Sequence, residues 1–289
     1  HSAAYAILVM RTAYLKSHYP NEYMAAVLSS YMGNADKLIK YIASCTHSGI
    51  PVLPPDVNSS NLEFTPLDEG IRFGVRGVGG AVAEAIIAER EANGPFTSLH
   101  DFVNRLDTKC YNRKTLEALI KSGAFDSTGY TRKQLMYFIE QTPLLESASK
   151  RQKDRDAGQV SMFDMFAADD DSGFAEDIPA PDGVEWDKRT LLSYEKEILK
   201  IYVSDHPLRP YEYALGKARD FTFSQIDTGY ETMGPTGSMV NTEIPESKPF
   251  WWAGMVSGVS KRMTKKGDPM AIITLEDMEG EATVVAFPK

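Results

Sequence analysis

The stretch Gly77-Val78-Gly79-Gly80-Ala81-Val82-Ala83-Glu84-Ala85-Ile86 carries the most informative local pattern of this chain. Its glycines permit a turn tighter than residues with a Cβ atom allow, and the Ala- and Ile-rich residues that follow favour a helix. Bare backbone N–H groups at the start of that helix can bind a phosphate. The stretch therefore predicts a helix-hairpin-helix, with Ala83 where the two helices approach and Ile86 in the core. Its expected DNA-binding residues are Arg76, Gly77, Gly79 and Gly80.

Other interpretations of these glycines stay open. A dinucleotide-binding fold begins with the same Gly-x-Gly-x-x-Gly pattern, but its sixth position here is Val82, and no acidic residue follows a second strand. The glycines also fit a plain turn between the strand-like residues 71–75 and a helix over 81–92. Further along, residues 112–125 fit half of a second helix-hairpin-helix, with Arg113 and Lys114 at its helix start. They also fit an amphipathic helix with a basic, solvated edge.

Periodicity indicates helices through much of the remaining chain. Apolar residues recur at helical spacing over 1–50, where Pro20 and Gly33 punctuate the pattern. The same spacing predicts helices near 98–106, 112–122, 132–141 and 188–203. Residues 250–289 change to three β-rich runs separated by turns, the first beginning at Trp251. The chain is therefore expected to be mainly helical, with a β-rich C-terminal part.

The formal net charge of −9 is concentrated in one segment. Nine acidic residues and no basic residue lie between 164 and 187, whereas the stretch from Arg72 to Lys133 has ten Lys or Arg against seven Asp or Glu. The acidic total therefore does not exclude a phosphate-binding surface. No run of 18 apolar residues and no secretory signal is present, so we expect a cytoplasmic protein without a membrane partner. Cys45 and Cys110 are expected to be buried thiols.

Residues 147–187 are predicted to be a flexible linker because they are polar, acidic and nearly aperiodic. Within them, Gln159-Val160-Ser161-Met162-Phe163 carries bulky apolar residues that such a linker cannot bury. An apolar island of this kind is typical of a docking peptide. Its pattern resembles the peptide that binds bacterial sliding clamps, with Gln159, Met162 and Phe163 as the contacting residues. Packing on a neighbouring helix is the alternative.

Basic residues gather near a predicted hairpin in the β-rich part, at Lys261, Arg262, Lys265 and Lys266. Trp251 and Trp252 begin the preceding strand. Small barrels that bind single-stranded nucleic acid combine cations for the phosphates with aromatic rings for the bases. The segment therefore favours binding of single-stranded DNA. An ordinary soluble hairpin with its tryptophans in a core would show the same residues.

The sequence offers no catalytic or metal-binding arrangement. Asp169-Asp170-Asp171 lies in an acidic run with the composition of a solvent-exposed segment. The five histidines are scattered, without a nucleophile or a second ligand at a telling distance. No catalytic residue, metal ligand or cofactor is therefore assigned to this chain.

Taken in order, these segments resemble the bacterial DNA polymerase III alpha subunit over essentially the whole chain. His1-Ser2-Ala3-Ala4-Tyr5-Ala6 and residues 15–24 resemble the end of its fingers domain, and Leu53-Pro54-Pro55-Asp56-Val57-Asn58 follows as it does there. Phe96-Thr97-Ser98-Leu99 and residues 119–126 resemble its tandem hairpin region. The clamp motif of that family corresponds to 159–163, its connecting helix to 195–208, and the opening of its OB barrel to 253–287.

The resemblance implies a multidomain, mainly α chain followed by a partial β OB-fold barrel. Its expected parts are the end of a helical fingers domain (1–70), a tandem helix-hairpin-helix region (71–142), an acidic linker with the clamp motif (143–187), a connecting helix with loops (188–249) and the first part of the OB domain (250–289). Between Gly74 and Gly77 the family has a few more residues, so the first helix of the glycine hairpin is expected to be shortened.

The resemblance also implies a role in processive DNA replication. The expected partners are duplex and single-stranded DNA, the sliding clamp (beta subunit) and other polymerase III holoenzyme subunits. The catalytic aspartates, and the Mg²⁺ that the parent polymerase is expected to use, would lie outside this chain. A clamp- and DNA-binding repair scaffold without polymerase activity is the alternative. A DNA ligase would need a Lys-x-Asp-Gly tetrapeptide, which the sequence lacks.

Overall fold

The computed structural model describes residues 2–75, 80, 82–156, 183–226, 232–233, 239–240 and 249–288. The chain divides into two compact units. The first unit contains residues 1–29 and 52–204, and the second contains residues 30–51 and 205–289. Within the described ranges, no helix combines the length and the apolar character needed to cross a bilayer.

The N-terminal helices confirm the predicted helical block. Helix α1 spans Ser2–His18 and helix α2 spans Pro20–Ser30. Pro20 opens α2, where its missing N–H group removes no hydrogen bond from the helix. Helix α2 buries Met24, Ala25 and Leu28, whereas the side chains described in α1 are exposed. The N-terminal part of α2 is tied to the following sheet, because Asn21 Nδ2 donates to Leu67 O at 2.8 Å.

A small mixed sheet belongs to the first unit. Its strands are β1 (Val52–Leu53), β2 (Thr65–Leu67) and β3 (Gly70–Arg72), in the order β1-β3-β2. Strand β3 is parallel to β1 and antiparallel to β2. It ends at Arg72, whereas the sequence pattern predicts an end at residue 75. Beyond Arg72 the backbone crosses closely over its neighbours: a Cβ atom on Gly74 would lie 2.5 Å from Leu62 O, so only glycine fits there.

A helical block packs the main core of the first unit. Its helices are α4 (Val82–Asn93), α5 (Leu99–Arg105), α6 (Arg113–Lys121) and α7 (Arg132–Gln141), with a 3₁₀ turn at Asp126–Thr128. These bounds confirm the helices predicted near 81–92, 98–106, 112–122 and 132–141. Ser98, Asn112 and Thr131 cap α5, α6 and α7 with their side-chain oxygens. The largest fully buried side chains of the block are Ile86, Phe96, Leu99, Phe102, Leu116, Leu119, Ile120, Phe125 and Leu135.

The linker predicted over 143–187 is wrong at its beginning, because Leu144–Asp156 form helix α8. Leu144 and Ala148, which lie four residues apart on one face of α8, are buried in the helical core. Arg151 Nη1 donates to Asn104 Oδ1 at 2.9 Å and ties α8 to α5. Because α8 is polar and buries few side chains, its composition resembles that of a linker. Packing against the core nevertheless stabilises it as a helix.

Helix α9 spans Lys188–Leu199 and packs against α6 through an ion pair, with Lys121 Nζ 3.0 Å from Glu197 Oε1. The predicted helix over 188–203 is too long, because Lys200 adopts a left-handed conformation with φ +67° and ends the helix. The following segment folds back onto α9, where the buried Glu195 carboxylate accepts hydrogen bonds from the N–H groups of Val203 and Ser204.

The residues before α9 are also attached to the first unit. Glu185 accepts hydrogen bonds from Arg132 N at 2.6 Å and from Lys133 N at 3.2 Å, so it occupies the N-terminus of α7. Asp187 caps α9 by accepting from Thr190 N at 3.0 Å. The segment 183–199 is therefore attached to the first unit, which also contains α8.

The second unit contains helices and two antiparallel sheets. Helix α3 spans Ala35–His47 and is capped by Asn34, as the predicted break near Gly33 requires. A 3₁₀ turn at Arg209–Tyr211 leads into α10 (Glu212–Ala218), and α11 spans Phe223–Ile226. Strands β4 (Thr232–Met233) and β5 (Met239–Val240) pair with each other.

The larger sheet of the second unit consists of β6 (Met255–Met263), β7 (Pro269–Glu276) and β8 (Glu281–Ala286), antiparallel and in chain order. The prediction of a β-rich end is thus confirmed, but the first strand begins at Met255 rather than at Trp251. The backbone of Trp251 hydrogen-bonds to Asp220 and not to the sheet: Trp251 N donates to Asp220 Oδ2 at 2.7 Å, and Trp251 O accepts from Asp220 N at 2.9 Å. Within the described residues these three strands form an open antiparallel sheet, and no closed barrel is seen.

A buried ion pair holds the turn between β7 and β8. Arg219 Nη1 lies 2.5 Å from Asp277 Oδ2, and the two side chains expose 10% and 0% of their surface. Asp277 also accepts hydrogen bonds from Phe223 N at 3.0 Å, Glu279 N at 2.8 Å and Gly280 N at 3.1 Å. Burial raises the pKa of Asp277, while the backbone donors and Arg219 act in the opposite direction. One carboxylate therefore joins the segment after α10 to the sheet.

Candidate nucleic-acid interface

The glycine hairpin is described at its C-terminal side. Arg76, Gly77 and Gly79 lie outside the described residues. Gly80 is exposed with φ +52°, a left-handed conformation that favours glycine, and it accepts a hydrogen bond from Ala83 N at 3.2 Å. Ile86 is fully buried in the core, as the sequence predicted, and Ala83 is fully buried as well. The turn therefore enters α4 through Gly80.

A second hairpin is formed by α5, the loop 106–112 and α6. Asp107 organises the loop: its backbone oxygen accepts from Cys110 N at 2.8 Å and its carboxylate accepts from Lys109 N at 2.9 Å. Tyr111 closes the hairpin, because its hydroxyl donates to Val103 O at 2.8 Å. The residue pattern of 112–125 predicted the α6 half of this unit, and the family resemblance placed residues 96–99, at the start of α5, in the same region.

The start of α6 presents backbone donors and cations to solvent. Asn112 Oδ1 accepts from Thr115 N at 2.9 Å, which leaves the N–H groups of Arg113 and Lys114 outside the helical hydrogen-bond pattern. Both side chains are exposed. Arg113 also lies 2.9 Å from a carboxylate oxygen of Glu117 and 4.0 Å from one of Glu140, so its charge is partly neutralised. Lys114 is therefore the stronger candidate for a phosphate.

Lys109 is a candidate that the sequence analysis missed. Its side chain is exposed in the loop 106–112, directly before the start of α6. The signal that could have found it is the short connection between two predicted helices, since the tip of such a hairpin faces the phosphate. Together, Lys109, Lys114 and the free amides of α6 form what we call the hairpin site.

The four cations of the β-rich part lie on or beside the β6–β7 hairpin. Lys261 pairs with Ala271 and Arg262 with Met270, so these two adjacent strand residues point to opposite faces of the sheet. Lys265 and Lys266 stand in the turn, which Gly267 allows with φ +87°. All four side chains are exposed at one end of the hairpin, although they do not share one face.

The two tryptophans have different environments. Trp251 exposes 78% of its surface and its backbone N donates to Asp220 Oδ2 at 2.7 Å. Trp252 is partly buried, with its ring centroid 3.7 Å from that of Phe223. Trp251 can therefore offer a stacking surface to a base, whereas Trp252 packs inside the unit.

The predicted clamp-binding residues Gln159, Met162 and Phe163 lie outside the described residues. The chain on either side is described, since α8 ends at Asp156 and the docked segment resumes at Gly183. Both flanks belong to the first unit. The candidate docking peptide is therefore inserted between two attached elements of one unit.

Comparison with known proteins agrees with the hairpin geometry. A family model described as a helix-hairpin-helix motif matches residues 49–135, which confirms the predicted motif. The DNA polymerase III subunit alpha of Saccharopolyspora erythraea is 39% identical over 299 residues, covering 100% of this chain and 24% of that protein. The same subunit of Mycobacterium tuberculosis is 37% identical over 295 residues, with 100% and 23% covered, and that of Thermus aquaticus is 39% identical over 290 residues, with 99% and 22% covered. The chain thus spans about a quarter of the length of these relatives.

Proposed function

Because this chain belongs, as a segment, to the DNA polymerase III alpha subunit family, we propose that it is a noncatalytic part of a replicative DNA polymerase that holds DNA and the sliding clamp. The observation that carries the proposal is the α5–α6 hairpin inside the matched motif. The residues that join nucleotides lie in other parts of such a polymerase. Among the described residues, no group of three or more His, Cys, Asp or Glu is arranged to share a metal ion.

Duplex DNA is the proposed ligand of the hairpin site. Backbone amides at a helix start and nearby cations bind phosphate oxygens without reading base edges. Lys114 and Lys109 are exposed on the helix start and the loop, and both can reach an anion from solvent. Glycine amides of the first hairpin, at residues 77–80, would grip a neighbouring phosphate in the same way. Binding of this kind is independent of base sequence and sensitive to salt.

We expect the full chain to bind two duplexes of unrelated sequence with similar affinity, measured by fluorescence anisotropy. The logarithm of the binding constant should fall linearly with the logarithm of salt concentration, by about 0.9 per phosphate contacted. Lys109→Gln with Lys114→Gln should reduce that slope by about 1.8, because two phosphate contacts are lost.

Arg189→Gln with Lys200→Gln is the matched control for this experiment. It removes the same charge from α9 and its cap, which pack near Lys121 at the other end of α6. The control should bind like the parent chain. A salt-independent affinity, or equal losses in both variants, would refute the duplex-binding role.

The sliding clamp is the proposed ligand of residues 159–163. Two apolar side chains and a glutamine, in a stretch with nine acidic residues nearby, have the composition of a peptide that is buried by a partner. The attached flanks support this role, because a partner bound to the peptide between them would be tethered to the hairpin-containing unit. Simultaneous contact with a ring and with DNA raises the effective affinity of each contact.

Single-stranded template is the proposed ligand of the β6–β8 sheet, which we interpret as the first strands of an OB domain. The support is the cluster of exposed cations at one hairpin end and the exposed ring of Trp251. Cations and rings are the two elements that single-strand binding combines. Several apolar side chains of the sheet, including Val256, Val259 and Met263, are exposed, as expected for strands that further strands would cover in a barrel.

Lys265→Gln with Lys266→Gln should weaken binding of an oligothymidine to the full chain. The salt slope should fall by about 1.4, since single strands lose about 0.7 per phosphate contact. Lys37→Gln with Lys217→Gln removes the same charge from exposed residues of α3 and α10 and should leave the slope unchanged. An unchanged slope in the first variant, measured by fluorescence titration, would show that this hairpin takes no part.

A further inference from the structure

Helix α8, which the sequence pattern had assigned to a linker, packs beside the α5–α6 hairpin. Arg151 Nη1 donates to Asn104 Oδ1 at 2.9 Å, and Arg155 Nη2 donates to Asn104 O at 2.9 Å. Asn104 lies in the last turn of α5, next to the hairpin loop. The C-terminal half of α8 is therefore attached at the base of the loop 106–112.

Arg155 brings positive charge to that loop. The hydrogen bond of Arg155 to Asn104 O places its guanidinium at the base of the loop. Burial raises the pKa of Tyr111 to about 12, and the charge of Arg155 acts against this rise. Tyr111 immediately precedes Asn112, the cap of α6. The Arg155 guanidinium thus extends the cations of the hairpin site towards α8.

Two further cations lie on the opposite, solvent face of α8. Lys150 and Lys153 are exposed and lie away from the buried face formed by Leu144 and Ala148. Residues 150–156 contain four Lys or Arg and two Asp. A surface with this excess of cations beside an anion-binding hairpin is complementary to a polyanion.

We propose that α8 is a further DNA-binding element, in which Lys150, Lys153 and Arg155 contact the phosphate backbone of the duplex held by the hairpin site. The inference rests on the proposed duplex-binding function and adds to it a third helix and three cations. Arg151 acts as a positioning residue, because its bond to Asn104 sets α8 against α5. The interaction is with phosphates, so it adds affinity without base selectivity.

The test is the salt dependence of duplex binding by the full chain carrying Lys150→Gln and Lys153→Gln. Both side chains are exposed, so the fold should be kept, and an unchanged melting curve checks this. We expect the salt slope to fall by about 1.8, corresponding to two lost phosphate contacts. Adding Arg155→Gln should lower the slope by about a further 0.9.

The control is again Arg189→Gln with Lys200→Gln, which should keep the parent slope. One outcome would overturn the α8 inference and leave the hairpin function standing. In it, the parent chain binds duplex, the Lys109/Lys114 variant binds more weakly, and the α8 variants have the same salt slope as the control. If the parent chain shows no salt-dependent binding of duplex, both are overturned.

Discussion

A chain carrying Gln159→Ala, Met162→Ala and Phe163→Ala is expected to lose sliding-clamp binding, with affinity falling at least about 100-fold. The reason is the size of the apolar contribution. Buried anchor side chains of an interface contribute about 2 kcal/mol or more each when truncated, and Met162 and Phe163 are the two anchors of this peptide. The measurement is a titration of the full chain with the clamp of the same organism.

The neighbouring Met165 and Phe166 provide a closely matched control, because they are the same residue types three positions later in the same segment. Met165→Ala with Phe166→Ala should leave clamp affinity within a few-fold of the parent chain. Loss of binding in this control with retained binding in the triple variant would make Met165 and Phe166 the docking residues instead. Retained binding in both would remove the clamp role from this segment.

Arg219→Ala is expected to lower the free energy of unfolding strongly. This substitution leaves the Asp277 carboxylate buried with its three backbone donors but without a cation. Breaking a buried pair in this way costs about 3–5 kcal/mol. Urea unfolding of the full chain, followed by the fluorescence of Trp251 and Trp252 in the same unit, should report the loss.

The loss should also depend on pH, with a sign fixed by Asp277. Burial already raises the pKa of this carboxyl in the folded state, and removal of Arg219 takes away an influence that lowers it. The folded variant therefore binds a proton more readily than the unfolded chain does. The loss of unfolding free energy relative to the parent chain should be largest at neutral pH. It should shrink as the pH falls through the raised pKa of Asp277 in the folded variant.

Arg209→Ala is the control for the buried pair. Arg209 makes ion pairs with Asp205 and Glu212 in the same unit, but 46% of its side chain is exposed. Exposed pairs contribute about 0–1 kcal/mol, so this variant should unfold almost like the parent chain. If both arginine variants lose the same small amount of unfolding free energy, the Arg219–Asp277 pair does not stabilise the sheet.

The helices that the sequence predicted well are those with local signals at their ends. Ser98, Asn112 and Thr131 are side-chain caps that precede apolar periodicity, and all three cap helices in the structure. Pro20 marked the start of α2 for a similar local reason. Local chemistry of this kind is readable without knowledge of any partner.

Features that depend on distant partners could not be predicted in the same way. Helix α8 has a polar composition, and its helical state depends on burial of Leu144 and Ala148 and on contacts with α5. The late start of β6 depends on the hydrogen bonds between the backbone of Trp251 and the distant residue Asp220. Among the candidate site residues, Lys109 was missed because its importance comes from the pairing of α5 with α6, not from its own neighbours in sequence.

The docking of residues 183–199 on the first unit has a consequence for the covalent chain. Glu185 at the start of α7 and the Lys121–Glu197 pair, together with the buried part of α9, hold this segment through noncovalent contacts. The two flanks are therefore held together by these contacts and do not depend on the peptide bonds between 157 and 182. A chain cut there would stay assembled as complementing fragments, and a foreign peptide could be spliced into that interval without separating them.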